Sequence, residues 1–258
     1  MSVEPGWASQ GLPTDVVDLG PGVRAGFTTR AGGVSRPPYD ALNLGTAVGD
    51  DPRAVAVNRA RLDDWAGAPV AFATQVHGTG VLVLDSPPAP GVESVGEADV
   101  LVSLSADVAV GVLVADCVPV LLADPDAGVV AAVHAGRRGL VAGVVQAALD
   151  VLTRHGARPG RLRAAVGPSI SGASYEVPAE LRDAVEAVVP GTGTVTTWGT
   201  PALDLRAGVR AVLAAAGVRH VQVSGRDTYR DPALFSYRRA CGDGGRTGRC
   251  AGVVRPVR

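Results

Sequence analysis

Six apolar runs rich in β-branched residues crowd the chain between residues 69 and 134. They are PVAFATQV (69–76), GVLVLD (80–85), ADVLVSL (98–104), VAVGVLV (108–114), VPVLLAD (118–124) and GVVAAVH (128–134). Turns as short as DPDAG (124–128) leave no room for crossover helices between the later runs. Near-continuous apolar strands belong to a sheet that is covered on both faces. Further strands are predicted at 22–30, 162–167 and 219–225. Helical patterns lie outside the block. Asp51 and Pro52 open a helix that Gly67 stops. GLVAGVVQAALDVLTRHG (139–156) repeats its apolar residues near every 3.6 positions and closes at Gly156. Helices are also predicted at 178–189 and 203–217. Strands bunched in the middle with helices before and after favour an α+β chain over regular βαβ alternation. The expectation is a single domain over 1–258, a mixed β-sheet core flanked by helices. The turn-rich residues 1–20 and the irregular 240–258 are expected to be peripheral. Aromatics make up only 4% of the chain, so Val, Ala and Leu must build the core.

The charge balance narrows the partners. A net charge of −1 argues against a general nucleic-acid or membrane-surface binder. The end of the chain from 226 is Arg-rich but lacks the interleaved aromatics of a base-stacking surface. No lysine occurs, so all 24 basic residues are Arg. That removes Schiff-base and P-loop lysine chemistry and leaves Arg or backbone amides to hold any anion. The start, MSVEPGWASQ, carries no basic or apolar signal region, and the run 108–115 is too short to span a bilayer. Three Cys is an odd number, so a reduced cytoplasmic protein without a disulfide framework is expected.

Three rare residues share a context. His77 ends one strand run, Cys117 interrupts another in VADCVPV, and His134 ends a third. Side chains at strand ends can converge on one edge of a sheet. Two imidazoles and a thiolate suit Zn²⁺, and three protein ligands leave a position open for water or substrate. The alternative is a buried small Cys and two separately satisfied histidines. His155, in a helix's last turn, and His220, opening an edge-like strand, read as structural.

The runs TTRAGGVSRPPYDALNLG (28–45), QVHG (75–78), ADVLVS (98–103), ADCVPVLLAD (115–124), VHAGRRG (133–139), GPSISGASYEV (167–177) and DTYRDPALFSYRR…GRTGR (227–249) occur in this order. Together they resemble the YfiH family, long labelled polyphenol oxidoreductases or laccase-domain proteins and understood as purine nucleoside phosphorylases. The resemblance spans nearly the whole chain. It implies zinc on His77, Cys117 and His134. It also implies phosphorolysis of adenosine, inosine, guanosine and 5′-methylthioadenosine, and hydrolytic deamination of adenosine. Similar sequences often carry Trp where this chain has Arg137. They often carry Cys where it has Ala173, Ser174 and Asp227, so no catalytic role is carried over for those cysteines.

Other residues are candidates for the remaining roles. Arg138 follows His134 closely and is the first choice for phosphate, with Arg30 and Arg238 behind it; the alternative for each is a surface ion pair. Asp116 supports the ligands only if the chain bends there, and otherwise serves a turn. Asn43 either binds ribose or a base edge, or makes an Asx-turn. Gln75 shares a face with His77 in an extended chain. Glu176, beside Tyr175, is the candidate acid–base group, or else an exposed loop carboxylate.

Competing functions use the same residues. Laccase-type copper centres need around ten His by the ligand sets they require. Four His and one Met fall short, which leaves Cu²⁺ at the same three ligands, with phenol oxidation, as the lesser alternative. A cysteine hydrolase or amidase would use Cys117 as nucleophile and His134 or His77 as base. A non-catalytic domain with a structural zinc would need a fourth ligand, and neither Cys241 nor Cys250 lies in a paired motif.

Overall fold

The computed structural model describes Leu12 and residues 14–257. Its strands are β1 (Thr14–Val16), β2 (Val23–Thr28), β3 (Val70–Ala71), β4 (Val81–Leu84), β5 (Val100–Ser103), β6 (Ala109–Val114), β7 (Val118–Asp124), β8 (Val129–Ala135), β9 (Arg163–Val166), β10 (Gly193–Val195), β11 (Pro201–Leu203), β12 (His220–Val223) and β13 (Cys250–Pro256). The helices are α1 (Pro52–Ala66), α2 (Arg137–Ala142), α3 (Val144–Arg154), α4 (Ala179–Val188), α5 (Leu205–Ala215) and α6 (Tyr237–Ala240). Two mixed sheets dominate. One runs β1-β2-β13-β6-β3, the other β12-β9-β7-β8-β5-β4, and β10 and β11 form a separate hairpin.

Period-two alternation in the strands sorts side chains into layers. Leu101, Leu121, Ala123, Val130 and Ala132 face the first sheet, where Phe27, Val110, Val112 and Val254 meet them. Val100, Val102, Val120, Leu122, Ala131 and Val133 face the other way, onto Val145, Leu149 and Leu152 of α3 and Val209 and Leu213 of α5. Leu62 and Trp65 of α1 cover the outer face of the first sheet with Phe72 and Val253. The order is helix, sheet, sheet, helix, which is why β7 and β8 are buried along their whole length. No helix among the described residues is long and apolar enough to cross a membrane.

The expected α+β architecture is present, with four local differences. The tail is not peripheral: β13 pairs antiparallel with both β2 and β6 in the middle of its sheet. Likewise Leu19, within the first 20 residues, is fully buried between the sheets; residues 1–11 lie outside the described ones. The helix expected at 139–156 is two helices, because Gly143 takes a left-handed conformation at φ +94°. The strand expected at 69–76 pairs regularly only at Val70–Ala71, which leaves the following segment free to turn toward the site. The α1 boundaries are as expected: Asp51 Oδ1 accepts from Arg53 N at 2.9 Å, and Gly67 closes the helix at φ +70°.

Candidate metal centre

Strand register builds the site at one end of the sandwich. β7 pairs with β8 so that Val118 faces Ala135, which brings the preceding Cys117 beside Gly136. β5 pairs with β8 so that Val100 faces Val133, which brings Asp99 beside His134, whose amide donates to the Asp99 carbonyl at 2.8 Å. His77 arrives from the segment after β3 in a left-handed conformation, φ +61°. The ligand atoms of His77, Cys117 and His134 all lie within 4.8 Å of one another, and no other such group of three occurs among the described residues. His77 Nε2 stands 3.6 Å from Cys117 Sγ. Tetrahedral zinc, with Zn–S about 2.3 Å and Zn–N about 2.0–2.1 Å, sets that separation at about 3.6 Å. Donor type and spacing therefore fit a metal ion.

Asp99 organises the cluster and is absent from the sequence-level candidates. It is buried, and four donors converge on it. His134 Nδ1 lies 2.7 Å from Oδ1, and the amides of His77, Gly78 and Val76 donate at 3.0, 2.6 and 3.2 Å. The bond at Nδ1 leaves His134 Nε2 for a metal, the usual arrangement of a carboxylate–histidine–metal triad. The three amides hold His77 in its left-handed turn. Burial pushes the Asp99 carboxyl up, but these partners outweigh it and hold the group below the ordinary Asp value. A signal existed in ADVLVS: a carboxylate opening a fully buried strand must find partners.

Without a metal the cluster is an ion pair. Burial pushes the Cys117 thiol up, but the His134 and His77 rings outweigh it and bring it down to about 6. His134 moves the opposite way: burial lowers it, while the Cys117 thiolate and Asp99 raise it to about 9. A thiolate poised in this way is ready to ligate a metal.

Gly136 has to be glycine for space rather than conformation. A Cβ there would stand 2.5 Å from His77 Cδ2 and 3.1 Å from Cys117 Sγ. Gly136→Ala is expected to keep the fold, because φ −75° and ψ 165° suit alanine, while displacing His77. Zinc affinity measured by chelator competition should fall about 10-fold or more with an unchanged far-UV spectrum, an effect like that of mispositioned outer-shell partners.

Two cavities meet at Cys117. The larger, about 480 Å³, is lined by His77, His134, Gln75, Thr74, Ser94 and Arg249 among others. The smaller, about 250 Å³, is lined by Asp116, Arg137, Ile170, Tyr175, Leu205 and Arg238. Ala115, Cys117 and Tyr237 border both.

The other sequence-level candidates divide. Arg138 is exposed and lines neither cavity; its neighbour Arg137 takes that place. Arg30 is committed elsewhere, ion-paired to Asp40 at 2.9 Å and stacked on Phe235. Asn43 is fully buried and its side chain is taken up locally: its Oδ1 accepts from the Gly45 and Arg249 amides at 3.0 and 2.9 Å, and its Nδ2 donates to Asp50 at 2.9 Å. It thereby fixes two walls of the larger cavity, and its bond with the Gly45 amide is that of an Asx-turn. The chain does bend at Asp116, where φ is +99°. Its carboxylate, however, accepts from Thr228 Oγ1 at 2.6 Å and Arg238 N at 2.7 Å, which ties the C-terminal segment to the site. Gln75 spends its amide on the Leu113 backbone, at 2.7 and 2.8 Å, and so serves as wall. Glu176 is exposed and accepts from Trp198 Nε1 at 2.6 Å, a bond that holds its carboxyl below the ordinary Glu value. A lowered, outward-facing carboxyl is a poor general acid. His155 and His220 are exposed and far from the cluster in the fold. Arg249 and Tyr237 border the site without having been singled out.

Residues 24–256 match the family described as multi-copper polyphenol oxidoreductase laccase. A Corynebacterium glutamicum protein named purine nucleoside phosphorylase is 49% identical over 90% of this chain and 94% of its own length. The crystal structure of a Neisseria meningitidis protein superposes with a TM-score of 0.83 at 35% identity, covering 96% of this chain and 100% of that one. Bacillus licheniformis YfiH does so with a TM-score of 0.82 at 30% identity, covering 90% and 92%. With the match running through both sheets and all three cluster residues, the chain belongs to the YfiH family of laccase-like domains.

Proposed function

We propose that the protein is a zinc-dependent purine nucleoside phosphorylase acting on adenosine, inosine, guanosine and 5′-methylthioadenosine, with hydrolytic deamination of adenosine as a second activity. The observation that carries this reading is the meeting of two cavities at Cys117, beside His77 and His134. A two-substrate transfer needs adjoining places for both reactants. The larger cavity falls within the ordinary range of small-molecule sites, roughly 300–1,000 Å³. The name carried by the Corynebacterium glutamicum relative supports the phosphorylase part of this reading.

In phosphorolysis a phosphate oxygen bonds to the ribose C1′ as the C1′–N bond to the purine breaks. The electron pair leaves with the purine, which takes up the proton that phosphate gives up. Zinc, when bound, supplies a Lewis acid that polarises a substrate oxygen or lowers the pKa of a water. His77, Cys117 and His134 would hold it, and Asp99 keeps His134 Nδ1 occupied so that Nε2 faces inward. Arg249, anchored on the Thr247 and Gly248 carbonyls at 3.1 and 3.0 Å, brings a cation to the larger cavity.

The test is product analysis with adenosine. With phosphate, adenine and ribose 1-phosphate should form, together with some inosine; without phosphate, inosine alone. Free ribose in place of ribose 1-phosphate would make the protein a hydrolase. No purine product, with an amino acid released from a peptide-like substrate, would favour Cys117 as a nucleophile. Phenol oxidation only on adding copper would favour the oxidase reading.

A further inference from the structure

The smaller cavity has cationic walls that the metal cluster leaves unexplained. Arg137 of α2 and Arg238 of α6 reach it from segments 101 residues apart in the chain, and Tyr175 stands between them. The Arg137 and Arg238 guanidiniums both act on the Tyr175 hydroxyl through their charge. The Arg238 guanidinium lies 5.1 Å from the centre of the Tyr175 ring, and its Nη1 donates to the Glu176 carbonyl at 2.9 Å. Arg238 is thus held in place. Among the described residues neither cation is ion-paired with a carboxylate. The acidic groups nearby are otherwise engaged: Asp116 by Thr228 and the Arg238 amide, Glu176 by Trp198. Tyr175 lines the same cavity, and its hydroxyl can donate as well as accept. Two guanidiniums outside any carboxylate ion pair and one phenol therefore border a cavity of about 250 Å³ that ends on Cys117.

Planar guanidinium forks match the oxygens of a tetrahedral oxyanion, and two of them offset its charge. We infer that this cavity is the phosphate subsite, with Arg137 and Arg238 as its cations and Tyr175 as its neutral donor. The nucleoside then occupies the larger cavity, and C1′ meets the attacking phosphate oxygen where the two join. The assignment of inorganic phosphate rests on the phosphorylase reading, whereas the anion site itself does not.

The test titrates inorganic phosphate into the zinc-loaded protein by calorimetry, without nucleoside, for wild type and for Arg137→Gln, Arg238→Gln, Tyr175→Phe and Arg138→Gln. Loss of a charge-assisted contact is expected to weaken phosphate binding about 10-fold or more in each Arg cavity variant and less in Tyr175→Phe. Arg138→Gln should match wild type. In turnover the phosphate KM should rise by similar factors while the nucleoside KM stays within about 2-fold. Melting curves identify any variant that has not folded, and the remaining cavity variants then decide. Phosphate-dependent purine release with an unchanged phosphate KM in both Arg cavity variants would overturn the subsite and leave the phosphorylase reading intact. Phosphate binding that is lost in these variants, in a protein that cleaves no nucleoside, would uphold the anion site and overturn the phosphorylase reading.

Discussion

Cys117→Ala is expected to reduce bound zinc from about one per chain to a small fraction of that, and to lower phosphorolysis by about 100-fold or more. The thiolate is one of three donors, and its charge opposes that of the His134 ring. Removing it leaves two neutral ligands, or one imidazolium paired only with Asp99. The packing cost is small, because Cys117 lies at the margin of a minor apolar cluster with Val114, Leu234, Phe235 and Cys250. Metal analysis and steady-state rates on the same preparation separate this outcome from unfolding, since the variant should keep its secondary structure. Full zinc occupancy in the variant would remove Cys117 from the ligand set.

Asp99→Asn should be nearly as damaging, for a different reason. The carboxylate accepts from an imidazole and three amides. An asparagine of the same shape has one acceptor oxygen and turns an NH₂ group toward donors. Either the His134 ring loses the partner that fixes its tautomer, or the amides that hold His77 are left buried and unpaired. Zinc affinity is expected to fall about 10- to 100-fold. The metal-free protein should lose on the order of 2–3 kcal/mol in urea unfolding, the scale for a buried hydrogen bond to a charged group. Loss of zinc affinity without loss of metal-free stability would mean that Asp99 orients His134 alone and does not hold the His77 turn.

The His–Cys–His cluster was legible because its residues are scarce and sit at the ends or breaks of apolar runs. With only four His and three Cys in the chain, three at the ends or breaks of apolar runs is a restrictive pattern. Strand runs with short turns likewise expressed the buried sandwich. What could not be read depends on phase and partners. Successive helical residues point about 100° apart, so whether Arg137 or Arg138 faces the cavity depends on the rotation of α2 against the sheet. Asn43 and Glu176 carry the side chains a nucleoside site needs, yet local turns and Trp198 absorb them. β13 reads as a tail because nothing local reveals that β2 and β6 wait on either side of it. Asp99 is silent for the same reason: its partners come from residues 76–78 and 134, brought to it by the Thr74–Glu97 bridge and by the pairing of β5 with β8.

The central claim is that one metal ion on His77, Cys117 and His134 supports phosphate-dependent cleavage of purine nucleosides. It is tested most directly by titrating chelator-stripped protein with Zn²⁺ while following purine release from inosine in saturating phosphate. The rate should rise from near zero and break at about one equivalent of zinc per chain, as a single three-ligand site requires. Full activity in the stripped protein, or a rise with the same break in Cys117→Ala, would contradict it.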